Sequence, residues 1–310
     1  MGGIVAKTGY SHGFEWTKES VAALKELCIL GFTAPQMSRI LSDKFGVELS
    51  IASVTQTKYR HKIAKYMIEH DSDITYYKDE ILPNGNRMVG ADIHSPYFDE
   101  VYINRFLALA DKFKIRKAVL VGDTLDQDFA KKYYDDEKGD LDYEIAKTDP
   151  VMKALQYFDE AVFLRGNHET RVGRITDGRI QAQQIFKLFG PELWKTKFKY
   201  INRDKIKIGR KWLLVHPKSY SQVSGSVAVR LAEKYHRHVI NAHGHFIALR
   251  YDRSAKYMGV DLGGLFSREK IKYINETTTT HPVWNPGFGM IYEDHFYHFH
   301  ENTNWDYWLK

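Results

Sequence analysis

The chain carries a single cysteine, Cys28, in 310 residues, so no intrachain disulfide can form, and this thiol usage points to a reducing compartment. Cys28 lies on the apolar stripe of a predicted helix, where it reads as a buried structural thiol and not a nucleophile. No apolar run approaches the ~20 residues a bilayer-spanning helix needs. The opening Met1-Gly2-Gly3-Ile4-Val5-Ala6-Lys7 lacks the sustained apolar core of a secretory signal. A cytoplasmic protein without a membrane partner is therefore expected. Internal repeats are absent. The only low-complexity stretch is the four threonines at 277–280, expected to form a loop before Pro282. Residues 51–65 contain no acidic side chain.

Hydrophobic residues make up 43% of the chain, enough for a globular fold, and the length suits a core domain plus a smaller module. The net charge is +6 and the pI about 9.0, compatible with a polyanionic partner. The expected divisions are an N-terminal extension (1–13), a small all-α module (14–65), a linker (66–86) ending in the turn-forming Pro83-Asn84-Gly85-Asn86, and an α/β domain (87–310).

The all-α module reads as three short helices. Thr17 caps the first, with Val21, Leu24, Leu27 and Cys28 at helical spacing and an end near Gly31. Thr33 caps the second, with Pro35 in its first turn, Met37, Ile40, Leu41 and Phe45 as its apolar face, and Gly46 as its stop. Ser50 caps the third, which runs from Ile51 to about Ile63 with Ile51 and Val54 facing inward. A tight turn before a polar, basic third helix is similar to resolvase- or homeodomain-like helix-turn-helix modules. That resemblance implies DNA as a partner: Lys58, Arg60, Lys62 and Lys65 on phosphates, Thr55, Gln56 and Arg60 within reach of base edges. A three-helix bundle for protein contacts, its basic helix merely solvated, is the alternative.

Between residues 92 and 245 five motifs each follow a short apolar run typical of a buried strand. Met88-Val89-Gly90-Ala91 leads into Asp92-Ile93-His94, and Ala118-Val119-Leu120-Val121 into Gly122-Asp123. Ala161-Val162-Phe163-Leu164 leads into Arg165-Gly166-Asn167-His168-Glu169. Trp212-Leu213-Leu214-Val215 precedes His216, and His238-Val239-Ile240-Asn241 precedes His243-Gly244-His245. Helical patterns between the first three, over Asp99–Phe113 and the shorter Pro150–Phe158, make βαβ units with parallel pairing. The first is expected to bury Val101, Phe106, Leu107, Ala110 and Phe113. An open sheet gathers groups from the carboxyl ends of its strands into one crevice. Oxygen and imidazole donors without thiolate suit Mn2+, Fe or Zn2+, and one donor shared by two ions would make a two-metal site. Taken singly, each of His94, His216 and His243 reads better as a hydrogen-bonded core histidine; five motifs at successive strand ends together favour ligands.

The order and spacing of these motifs resemble the calcineurin-like metallophosphoesterase superfamily, from Arg87 to the C-terminus. The resemblance implies a four-layer αββα sandwich. It also implies two divalent ions, Mn2+ first, with Fe, Zn2+ or Mg2+ as alternatives. Asp92, His94 and His245 match the ligands of one ion, Asn167, His216 and His243 those of the other, and Asp123 the bridging carboxylate. His168 matches the non-ligand histidine that contacts substrate phosphate and helps the leaving group depart. Asp126 stands where phosphoprotein phosphatases place a carboxylate that orients this histidine. That branch continues with a phosphate-binding Arg and a Gly, whereas Gln127 and Asp128 follow here. Arg165, Arg171 and Arg174 can supply phosphate contacts instead, Arg165 and Arg171 being the nearest to the histidine motif, or are simply surface charges.

The crowded charges between Ala130 and Asp149 read as a solvated loop or helix beside the site. His295, His298 and His300 alternate with aromatics as in a half-buried strand, and packing is favoured over a metal pair. Trp284, Trp305, Tyr307 and Trp308 are expected to pack and not to stack on bases. The expected function is hydrolysis of a phosphoester, in first place by a nucleic-acid phosphodiesterase directed to DNA by the N-terminal module. A phosphoprotein or small-molecule phosphomonoesterase is the alternative. A non-catalytic DNA-binding regulator is the third reading, disfavoured because it has no physical need for seven metal ligands.

Overall fold

A computed structural model describes residues 14–29, 32–61, 63, 80–131, 140–271 and 284–310. The expected extension 1–13, the helix stop at Gly31, residues 66–79 of the linker, the DNA contacts Lys62 and Lys65, charged residues 132–139 and the threonines 277–280 lie outside the described residues. The chain divides into two compact units, residues 1–78 and 79–310.

The first unit holds α1 (Lys18–Ile29), α2 (Ala34–Phe45) and α3 (Ile51–Arg60). The Thr17 hydroxyl accepts the Ser20 N–H, Thr33 and Gln36 form a capping box, and Ser50 accepts from the Ser53 N–H. Gly46, with φ 62°, ends α2 in the left-handed conformation that glycine adopts without steric cost. Leu24, Cys28, Met37, Leu41 and Val54 form the shared core. Ile51 does not face inward: it is 49% exposed, and Val54 and Thr57 are the buried positions of α3. Gln56, Tyr59 and Arg60 are exposed, and the Thr55 hydroxyl donates back to the Ile51 carbonyl.

The second unit is built on two six-stranded sheets. Its strands are β1 (Ile81–Leu82), β2 (Arg87–Gly90), β3 (Lys117–Leu120), β4 (Glu160–Leu164), β5 (Phe198–Ile201) and β6 (Lys205–Ile208). They continue with β7 (Trp212–Val215), β8 (His238–Asn241), β9 (Ile247–Tyr251), β10 (Met258–Leu262), β11 (Gly287–Tyr292) and β12 (His295–His300). One sheet runs β12-β11-β2-β3-β4-β5, with β2 to β5 parallel; the other runs β1-β6-β7-β8-β10-β9, with β7, β8 and β10 parallel.

Side chains alternate between two buried faces. Val89, Val119 and Val162 meet Trp212, Leu214, Ile240 and Val260 in the core between the sheets. Met88, Ala118, Leu120 and Phe163 turn the other way, onto helices α4 (Glu100–Lys112) and α5 (Leu141–Leu155). Leu213 and Val239 pack on α6 (Ser226–Tyr235) outside the second sheet. The result is the four-layer αββα sandwich. Burial on both faces explains why these strands read as continuous apolar runs.

Two helices differ from expectation. α4 is capped by Asp99, which accepts from the Val101 and Tyr102 N–H groups, and it buries Tyr102, Ile103, Phe106, Leu109 and Ala110. Val101 instead is 55% exposed. α5 starts nine residues before the expected Pro150, capped by Asp140, so of the loop or helix expected up to Asp149, Leu141–Asp149 is helix. Its Glu144 is buried, which a reading of that stretch as solvated surface misses. Trp305 and Trp308 pack against the β12 side of the core, as expected. Among the described residues, no helix is long and apolar enough to cross a membrane.

Candidate metal centre

All five motifs emerge from the carboxyl ends of parallel strands, β2, β3, β4, β7 and β8, and their turns are tightly wound. Asp92 (φ 48°), His94 (46°), Asp123 (48°), His243 (72°) and His245 (57°) all adopt left-handed backbone conformations. Such a conformation costs a non-glycine residue on the order of 1–3 kcal/mol and concentrates at functional sites. Hydrogen bonds lace the turns together: Asp92 N–H to Gly122 O, His94 N–H to Asp123 O, and His243 N–H to the Asp92 carboxylate.

The side chains converge in three overlapping groups whose ligand atoms lie within 4.8 Å of one another: Asp92, His94 and His245; His94, Asp123 and His168; Asp123, His216 and His243. Asp123 belongs to two of them. His245 Nε2 lies 3.1 Å from both Asp92 Oδ1 and His94 Nε2. His216 Nε2 lies 3.3 Å from Asp123 Oδ2 and 3.0 Å from Asn167 Oδ1. Asp92 and Asp123 are at most 1% exposed. Burial opposes charge on Asp123, yet His216 and His168 hold its carboxyl well below the usual range. Buried carboxylates surrounded by imidazole nitrogens, with no thiolate in the set, are a donor set that fits divalent metal ions. The cluster fits a metal site.

Partners behind the cluster set the imidazole orientations. His216 Nδ1–H donates to the Val121 carbonyl (2.9 Å), which leaves Nε2 facing Asp123. His94 Nδ1 lies 2.8 Å from Asp126 Oδ1, which leaves its Nε2 on the cluster side. The same oxygen lies 2.9 Å from His168 Nδ1. Asp126 therefore serves two histidines, where the sequence suggested one. Burial works against a charged His168, but Asp123 and Asp126 raise its pKa above the ordinary value. Arg171 donates to the Asp126 carbonyl oxygen (2.7 Å) and lies 3.0 Å from His168 Nε2.

Glu169 is 2% exposed and never enters the three groups. Its two oxygens accept four backbone N–H groups: Asp123 (2.9 Å) and Gly166 (2.8 Å) on one, Thr124 (2.8 Å) and Leu125 (3.2 Å) on the other. This carboxylate clamps the turn that presents Asp123 onto the turn that presents Asn167. Burial and the nearby Asp123 push it up to about 7. The two turns touch so closely that a Cβ on Gly166 would fall 2.1 Å from Asp123 Oδ1, and one on Gly122 2.8 Å from the Gly166 Cα.

The departure at Gln127 and Asp128 also has a structural basis. Gln127 is fully buried, its side-chain oxygen accepting the Val172 N–H (3.1 Å). The Gln127 and Asp128 N–H groups donate to Glu144, and Asp128 accepts from Tyr97 and pairs with Lys131. Arg171 brings a cation to Asp126 and His168 from a different point in the chain. Arg165 does not join it: its guanidinium donates to Asn202 (3.3 Å) and lines a separate pocket. Sequence reading missed Glu169, Glu144, Asp128 and Tyr97 as parts of this framework. Only the position of Glu169, directly after the Asn-His pair, hinted at a role. His298 donates to the Leu262 carbonyl and Trp284 packs edge-on against His245, ring centroids 4.2 Å apart.

No family model matches the chain. No curated protein matches it either. Among solved structures, that of YfcE, a phosphoesterase from E. coli, is similar over 68% of this chain and 91% of that one, with a TM-score of 0.38 and 14% sequence identity.

Proposed function

We propose that the chain is a metal-dependent phosphoesterase of the calcineurin-like type that cleaves nucleic-acid phosphodiesters. The observation that carries the reading is Asp123, a buried carboxylate common to two groups of potential ligands. Asp92, His94 and His245 would hold one ion and Asn167, His216 and His243 the other, with Asp123 bridging and Mn2+ the first choice of metal. Two such ions, when bound, would supply a nucleophile from water at neutral pH and would offset the negative charge of the phosphoryl oxygens.

The chain's own groups do the rest. Asp126 fixes the His168 ring through Nδ1, so that Nε2 faces the Asp123 side of the cluster, 3.9 Å from Oδ2. Arg171 donates to this nitrogen here; once its guanidinium turns to a phosphoryl oxygen, Nε2 is free to carry a proton to the departing oxygen, a contribution of roughly 10²–10⁴-fold. Arg171, anchored on the Asp126 carbonyl, brings a guanidinium to the same edge, where it pairs with a phosphoryl oxygen. Phe266 and Trp284 pack on His245 and limit water on that side.

The choice of nucleic acid rests on α3, where Gln56 and Arg60 are exposed beside Thr55 and Lys58 and no acid intervenes. In this reading residues 14–65 are the helix-turn-helix module that directs the enzyme to DNA, and the catalytic domain takes over from the linker at β1 (Ile81–Leu82), which pairs with β6, ahead of residue 87. The single cysteine supports a cytoplasmic setting. The Asp126–His168 pair supports a second reading, a phosphomonoesterase acting on phosphoprotein or a small ester.

A substrate panel with Mn2+ separates these: bis-p-nitrophenyl phosphate, p-nitrophenyl phosphate, a phosphopeptide, and single- and double-stranded DNA. Hydrolysis of the diester and of DNA supports the first reading. Preference for the monoester or phosphopeptide supports the second. Hydrolysis of none of them refutes both.

A further inference from the structure

Arg165 and Arg174 share a surface pocket of about 210 Å³ whose wall begins two residues from Asn167 and includes Glu169. Thr170, Gln181, Tyr200 and Asn202 complete its polar wall. Neither arginine forms an ion pair among the described residues, and the hydrogen bond from Arg165 to Asn202 leaves most of its five N–H donors available. Glu169 also borders the pocket, but both its oxygens already accept backbone amides. Burial, with the Glu169 charge, drives the Tyr200 hydroxyl far above its ordinary range, so Tyr200 acts there as a neutral donor.

Two guanidinium groups in one concavity, whose one carboxylate, Glu169, is already taken up by backbone amides and pairs with neither, are suited to an oxyanion. The pocket is smaller than the roughly 300–1,000 Å³ usual for whole small-molecule ligands, which favours a phosphate group over a base or a complete nucleotide. Two residues span at most about 7 Å of chain, so the backbone of Arg165, on the pocket wall, lies within that distance of the backbone of Asn167. The pocket is nevertheless separate from the metal centre: Arg171, and not Arg165, reaches the His168–Asp126 pair.

We propose that this pocket is a second phosphate subsite, which takes the phosphate next to the one held at the metal centre in any substrate carrying consecutive phosphates. The proposal deepens the phosphodiesterase reading and rests on it for the occupant of the first site. It makes a chain of phosphodiesters, in contrast to an isolated diester, the preferred ligand.

The test compares thymidine dinucleotides with and without terminal phosphates, pdTpdTp and dTpdT. Each is measured as a competitor of bis-p-nitrophenyl phosphate hydrolysis by the Mn2+-supplied full chain, and by calorimetric titration of the same protein. The wild-type chain should bind pdTpdTp at least about tenfold more tightly than dTpdT, as expected when charge-assisted bonds are added. In the double variant Arg165→Ala, Arg174→Ala that ratio should fall close to one, and the Lys pair should recover part of it. The ratio is internal to each variant, so a general loss of activity cannot imitate the effect. A wild-type ratio near one, or a ratio that survives in the double Ala variant, overturns the proposal. Calorimetry reads the subsite without turnover. Absence of hydrolysis would therefore refute the phosphodiesterase reading alone, and the binding ratio would still decide for or against the subsite.

Discussion

Replacing Gly166 with alanine should destroy the candidate metal centre without replacing any proposed ligand. The added Cβ would lie 2.1 Å from Asp123 Oδ1 and 2.4 Å from the Asp123 backbone nitrogen. Ordinary contact requires about 3.4 Å, so the carboxylate must retreat by about 1.3 Å, several times the ~0.2 Å tolerance of metal–ligand distances. Retreat also strains what holds Asp123: the His168 N–H on its Oδ1 (2.8 Å) and its own N–H on Glu169 (2.9 Å). Overpacking together with one or two weakened charge-assisted bonds should cost about 2–5 kcal/mol. For a unit of this size that lowers Tm on the order of 5–15 °C.

Gly173→Ala is the control, because its Cβ meets nothing nearer than 3.7 Å and it stands in a short helix where alanine is the better former. Metal stoichiometry by elemental analysis, a thermal melt and hydrolysis of bis-p-nitrophenyl phosphate should be run on both. Gly166→Ala should lose most bound metal and activity while Gly173→Ala keeps both. Full metal content and turnover in Gly166→Ala would refute the packing of these two turns.

His168→Asn should keep its metal yet lose roughly 10²–10⁴-fold in turnover, with a smaller loss for esters whose leaving group needs no protonation, such as p-nitrophenolate; loss of an ion would mean that His168 is a ligand. Glu169→Ala should orphan four buried amides, destabilise the chain by several kcal/mol in denaturant titrations at about 1–3 kcal/mol per amide, and weaken metal affinity; an unchanged midpoint would show that the clamp is dispensable. Replacing Lys58, Arg60, Lys62 and Lys65 with Ala should lower DNA affinity and flatten its salt dependence, since each neutralised phosphate contributes a slope of about 0.9 in log K against log salt. Gln56→Ala should instead change sequence preference. An unaltered slope in the quadruple variant would make the three-helix module a protein-contact element.

The strand ends were legible because strands covered on both faces read as unbroken apolar runs that stop at Gly, Asp, Asn or His. Val89 and Met88 illustrate it, neighbours turned into different cores and both buried. The helix faces were less legible. Val101 and Ile51 stand at the first turn of their helices, where apolar spacing does not decide which way a side chain points, and both are exposed. Buried acids were the hardest to see. Glu144, Asp128 and Glu169 look like surface charges in sequence, and only folding shows their oxygens taken up by backbone amides and neighbouring side chains. The second partner of Asp126 was hidden for a related reason: His94 lies 32 positions away, and the pairing depends on two turns meeting across adjacent strands.

Whether buried Asp92, Asp123 and the histidines around them hold two metal ions is decided by metal content. The chain is reconstituted with Mn2+, free metal is removed, and bound metal is counted for wild type and Asp123→Asn. Two ions per wild-type chain are expected, with a sharp loss of metal and of phosphoester hydrolysis in the folded Asp123→Asn variant. Trace metal in the wild-type protein, together with full activity in Asp123→Asn, would mean that this cluster is not a metal centre.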